Sequence, residues 1–119
     1  MIFYKALLNG NEIAKRVSIA DTFMKRLKGL LFKKYIDEDE GLLISPCSQV
    51  HTFGMKFSID VLFLSKFGEV ISIESSMSPG KISPLIRTCH QVLELKSEIV
   101  VKKGIKKGSR IIFGTNSIC

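Results

Sequence analysis

No apolar run in this chain approaches the roughly 20 residues that a membrane-spanning helix needs, so no membrane span is expected. The opening Met1-Ile2-Phe3-Tyr4-Lys5-Ala6-Leu7-Leu8 meets Lys5 before an apolar core of signal-peptide length can develop. No secretory signal is therefore expected. Cysteine is scarce and odd in number, at Cys47, Cys89 and Cys119. Three distant thiols do not make a disulfide framework, and reduced cysteines fit a cytoplasmic protein. Repeats and low-complexity linkers are absent too. What remains is 119 residues, 45% hydrophobic and 24% charged. These are ordinary globular values. A chain of this length can bury roughly 65% of the surface it exposes when unfolded, enough for one core. A single domain over residues 1–119 is the expectation.

The formal charge is +7, and it is unevenly spread. Residues 1–34 carry eight basic and two acidic side chains, residues 35–95 four and eight, and residues 96–110 six and one. Basic ends can attract nucleic acid or anionic lipid. Here they serve solubility more economically. The stretch Lys102-Lys103-Gly104-Ile105-Lys106-Lys107-Gly108-Ser109-Arg110 lacks the aromatics that stack on bases, and no phosphate-binding glycine loop accompanies it. No specific nucleic-acid binding is expected. The acidic run Asp37-Glu38-Asp39-Glu40 is contiguous. A calcium loop spaces its oxygen ligands, so this run reads as a solvated turn.

The residue periods point to a mainly β domain. Residues 2–8 and 13–19 read as strands around the turn signal Asn9-Gly10-Asn11. Phe23, Leu27, Leu30 and Leu31 fall on one helical face, with Asp21 or Thr22 as cap and Gly29 near the end. That is the one short amphipathic helix expected, laying Phe23, Leu27 and Leu30 onto a sheet. Leu42-Leu43-Ile44, Val61-Leu62-Phe63-Leu64, Val70-Ile71-Ser72-Ile73, Val92-Leu93-Glu94-Leu95, Ile99-Val100-Val101 and Ile111-Ile112-Phe113 read as further short strands. The pair around Lys66-Phe67-Gly68 is the clearest hairpin. Short strands at close spacing favour a small β-sandwich or partly open barrel.

The stretch Pro46–Asp60 concentrates the chemistry. It holds Cys47, His51, Thr52, Met55 and Asp60. Cys47, His51, Cys89 and His90 are the right residue types for zinc, but the spacing is wrong. In an extended segment Cys47 and His51 stand about 13 Å apart, and Cys89 and His90 point to opposite faces. No metal and no cofactor are expected. Cys47, His51 and Asp60 can be written as a Cys/His hydrolase, yet no nucleophile signature supports it. His51 and Thr52 serve equally as a binding pair or as a satisfied backbone anchor. Asp60 lies beside Val61 and needs a partner if buried. Arg26 is the charged partner expected, through a bidentate pair, with nearby backbone amides as the alternative. A free Arg26 would instead suit a pocket that recognises an anion or a carboxylate.

The order Thr22, Arg26, Gly29-Leu30, Gly41-Leu42-Leu43, Pro46-Cys47, His51-Thr52, Met55, Ile59-Asp60, Phe63, Gly68-Glu69-Val70, Leu93-Glu94-Leu95 and Gly104-Ile105-Lys106-Lys107-Gly108 resembles the Domain of Unknown Function 192 family. The resemblance covers about residues 13–113. It implies a compact sandwich or barrel-like β domain with one short helix, and no established activity. Ser58, Ser65 and Ser109 stand where that pattern carries proline, an acid and aspartate. The reading that results is a non-catalytic binding or accessory module for a small ligand or a protein partner. Its candidate pocket is Arg26, Cys47, His51, Thr52, Met55 and Asp60. The alternatives are a small hydrolase using Cys47, His51 and Asp60, and a weak nucleic-acid accessory protein.

Overall fold

A computed structural model describes residues 3–115, so Cys119 lies outside the described residues. Seven strands form one sheet: β1 (Tyr4–Leu8), β2 (Asn11–Ala20), β3 (Glu40–Ile44), β4 (Ile59–Leu64), β5 (Val70–Met77), β6 (Gln91–Lys96) and β7 (Ile112–Thr115). Their spatial order is β5-β4-β6-β3-β2-β1-β7. The β1–β2 hairpin turns through Asn9 and Gly10, both with positive φ. This is the primed turn that Asn-Gly favours, because its twist matches that of the strands. The β2–β3 pair is parallel, which requires a crossover between them. The crossover contains the helix α1 (Phe23–Lys28).

The far ends of the strand order meet. Glu69 bridges Arg110, and Ile111 donates its amide to the Gly68 carbonyl at 2.8 Å. The approach is so close that a Cβ on Gly68 would stand 2.2 Å from the Ile111 carbonyl oxygen, and φ at Gly68 is +85°. Only glycine fits both conditions. The sheet therefore curls without closing, as a partly open barrel. Two of the serine departures act as turn acceptors here. Ser65 Oγ accepts from the Phe67 and Glu69 amides, and Ser109 Oγ from the Lys106 amide. A serine oxygen thus supplies the acceptor that a carboxylate would offer.

Side-chain alternation splits the apolar residues into two clusters. The first includes Ala6, Val17, Leu43, Leu62, Leu64, Val70, Leu93 and Leu95, with Tyr4, Ile73 and Phe113 packed against it. It draws on all seven strands, so it fills the inside of the curl. The second takes the opposite face of β3, β4 and β6, through Leu42, Ile44, Val61, Phe63 and Val92. Leu30, Ile36, Val50 and Cys89 from the connecting segments cover it. Every residue of β4 is buried, as its continuous apolar run predicts.

Two expectations need correction. Residues 99–101 are not a strand; α2 (Ile99–Lys102) is a second short helix. Glu98 adopts a left-handed conformation directly before it and reverses the chain. Ile99 and Val100 are buried in the first cluster, so tertiary packing overrides their β-branched preference. The second correction concerns α1. Thr22 caps it, accepting from the Lys25 amide at 3.2 Å, and Gly29 ends it. No residue of the helix is buried. Phe23 is 70% exposed and Leu27 56%, while Leu30 packs only beyond the helix end. The apolar side of α1 therefore borders an open cleft. Among the described residues no helix is long and apolar enough to cross a membrane.

Candidate functional site

The cleft holds about 410 Å³. α1 and its following turn form one wall, and residues 46–55 after β3 form another. Leu85 stands at the rim, and Ile44 of β3 and Glu94 of β6 form the floor. The Ser45–Pro46 peptide is cis, and the chain beyond it runs along the cleft.

Glu94 is the residue that sequence reasoning placed only within a strand. Leu93 and Leu95 point into the first cluster, so Glu94 must point to the other face. There it stands opposite Leu42 of β3 and Val61 of β4, both apolar. It is 3% exposed. No hydrogen bond or ion pair reaches its carboxyl from the described residues. Burial without a compensating partner disfavours the charged form and pushes its pKa up to about 8. At neutral pH the group carries its proton. The available signal was an acid inside an apolar run on a central strand, covered on both faces.

Arg26 enters from α1. Its Nη1 donates to the Pro46 carbonyl at 3.0 Å, while its buried Nε has no acceptor. It does not meet Asp60. Cys47 is half-buried beside it and donates its thiol to the Gln49 carbonyl at 3.2 Å. Burial pushes the thiol pKa up, and the Gln49 contact opposes that rise. An ionised Glu94 raises it and Arg26 lowers it, both less than burial does. Cys89, also raised chiefly by burial, donates to the Cys47 carbonyl at 3.3 Å. His51 sits exposed on the rim, its Nδ1 accepting from the Phe53 amide at 3.2 Å and its ring stacked on Phe53. Met55 also lines the cleft.

Two of the candidate pocket residues lie elsewhere. Thr52 is fully buried; its hydroxyl donates to the Ser78 carbonyl at 2.6 Å and accepts from the Lys81 amide at 2.9 Å. It pins residues 51–55 to the loop at 78–81 and does not line the cleft. Asp60 is also fully buried, but on the inner face of the sheet. Its two oxygens accept from the Ser76 amide at 2.7 Å and the Val100 amide at 2.9 Å. The alternation that sends Val61 outward sends Asp60 inward. Cys47, His51 and Asp60 are therefore not gathered about one cavity. Among the described residues no group of three His, Cys, Asp or Glu side chains stands close enough to hold a metal ion.

The family model DUF192, "Uncharacterized ACR", matches residues 6–113. The chain belongs to the DUF192 family. That match spans every element that builds the cleft, from α1 to β6. A UPF0127 protein of Pyrococcus furiosus is 28% identical over 109 residues, covering 86% of this chain and 90% of that one. A protein of unknown function from Novosphingobium aromaticivorans shares the fold, with a TM-score of 0.81 at 20% identity, over 93% of this chain and 84% of that chain. A Sinorhizobium meliloti protein, provisionally described as a transcription regulator, also has a TM-score of 0.81 at 20% identity, over 94% of this chain and 92% of that one. At such identity these two likenesses establish the DUF192 fold alone.

Proposed function

We propose that this DUF192 protein is a binding module for a small organic ligand, and that its site is the cleft bordered by Arg26, Cys47, His51, Met55 and Glu94. One observation carries the reading. Arg26 Nε, buried without an acceptor, and the carboxyl of the buried residue Glu94, which no described residue meets, belong to two residues that line the same cavity. Buried polar groups are nearly always hydrogen-bonded, and exceptions with perturbed ionisation gather at functional clefts. The volume of the cleft falls in the range of small-molecule sites. A non-catalytic role is favoured over hydrolysis because burial holds Cys47 as a thiol, whereas a nucleophilic cysteine needs a lowered pKa. Asp60, the third member of the hydrolase alternative, is committed to backbone amides on the other face.

A fragment screen followed by ¹⁵N–¹H correlation spectra tests this. Bound fragments should shift the amides of residues 26–31, 47–51 and 94 as one group. Hits that shift only residues on the inner face, or none from a library of acids, amines and neutral compounds, would contradict it.

A further inference from the structure

We infer that the ligand is a small carboxylic acid with an apolar body, bound as its carboxylate by Arg26 and by Glu94 in the protonated form. The inference rests on the cleft being the binding site and adds the chemistry of its occupant.

The donors come first. Arg26 lines the cleft and spends only Nη1, on the Pro46 carbonyl, so the rest of its guanidinium N–H groups have no acceptor among the described residues. No carboxylate pairs with the guanidinium among the described residues. A neutral Glu94 carries one O–H donor with no acceptor of its own. Two residues with unanswered donors thus line one cavity, and a carboxylate brings two oxygens. A charge-assisted bond from a guanidinium to a carboxylate is among the stronger polar contacts a protein makes. An alcohol offers a single oxygen and no charge. An ammonium would set a like charge beside Arg26 and would require Glu94 to ionise in an apolar setting.

The charges around Glu94 agree. Arg26 and Lys28 come from α1, and Cys47 and His51 from the segment after β3. The strand neighbours Leu42 and Val61 bring none. Among the described residues Glu94 is the only acid in the lining, so while it is protonated the cleft is cationic. The apolar body has its own wall. Phe23, Leu27, Phe53 and Leu85 border the cleft and are each at least half exposed. Burying such side chains against an acyl or aromatic group is favourable in proportion to the apolar area removed from water.

Proton linkage gives the inference a signature. If Glu94 must donate, affinity holds below its ionisation and falls as pH rises through it, where a second carboxylate would face the first. A basic ligand would show the reverse slope.

The experiment is calorimetric titration of the whole chain with octanoate, 1-octanol and octylamine, at about pH 6 and about pH 9. Octanoate stays ionised across this range. Octanoate should bind about tenfold or more tighter than octanol near pH 6 and lose about tenfold by pH 9. Arg26→Met should remove that advantage over octanol. Glu94→Gln keeps a donor, so it should still bind octanoate but with the pH dependence flattened; circular dichroism confirms that both variants fold. Octylamine binding more tightly, or octanol equalling octanoate, would overturn the acid assignment while the cleft stands. So would the failure of all three to bind while other fragments still shift cleft amides. Octanoate binding whose amide shifts map away from residues 26–31, 47–51 and 94 would sink the cleft itself.

Discussion

Asp60 of β4 and Glu94 of β6 stand one register step apart on paired strands, Asp60 opposite Leu95 and Glu94 opposite Val61. Both are acids and both are buried. Alternation sends them to opposite faces of the sheet, and their surroundings differ completely. Asp60 accepts from two backbone amides, one on β5 and one at the start of α2. It fastens the second helix and the end of a strand to the core. Glu94 faces apolar neighbours, accepts nothing from the described residues and belongs to the cleft floor. Burial alone does not distinguish the two acids; the count of satisfied hydrogen bonds does.

The largest change expected from breaking this contrast is at Asp60. Asp60→Ala strands one buried and one part-buried amide donor and should cost on the order of 4 kcal/mol, at about 1–3 kcal/mol for each. A denaturant melt showing a loss below about 1 kcal/mol would mean that the carboxylate does not hold those amides.

Glu94→Gln should act in the opposite sense. In the unfolded chain the carboxyl ionises near its ordinary 4.5, but in the folded protein only near 8. Below the lower value both states hold the proton and the shift has no effect. As pH rises between the two values, the unfolded state gains by ionising and stability falls; above about 8 the loss is complete. At pH 7 it amounts to roughly 3 kcal/mol, which the glutamine does not suffer. Stability curves of the two proteins should therefore coincide near pH 4 and separate towards pH 8. Parallel curves would remove the contrast between the acids.

Arg26→Met should be milder. The side chain is partly exposed and gives up one bond to the Pro46 carbonyl, worth about 1 kcal/mol. Combined with Asp60→Asn the losses should add, because the residues lie on opposite faces and share no partner. A coupling energy above about 1 kcal/mol would show that they meet. The smallest effect is kinetic. Cys47, with its thiol raised by burial, should be alkylated near neutral pH more slowly than a free thiol, and faster labelling would revive the hydrolase reading.

Much of the frame was legible because local signals suffice for it. Asn9-Gly10 dictates its hairpin, Thr22 and Gly29 delimit α1, and Val61–Leu64 announces a strand covered on both faces. The lining of the candidate cleft was half legible. Arg26, Cys47, His51 and Met55 do line the cleft, and the failures share a cause in three-dimensional context. Ile99-Val100-Val101 favours a strand locally, but Glu98 turns the chain and Asp60 holds the Val100 amide, so a helix forms. Period placed Phe23 and Leu27 on one face of α1, yet nothing in the period says whether that face meets a sheet or a cavity. Asp60 drew notice because it followed a conspicuous segment. Glu94 passed as an ordinary strand residue, since its partnerless state depends on Leu42 and Val61, which are distant in sequence.

The most direct test is the titration of the Glu94 side-chain carboxyl, followed through its ¹³Cδ resonance in the free protein and assigned with Glu94→Gln. A single midpoint near pH 8 is the expected result. A midpoint near 4.5, the value of an ordinary solvated glutamate, would show that the carboxyl is hydrated or paired, and that the cleft holds no proton-bearing donor.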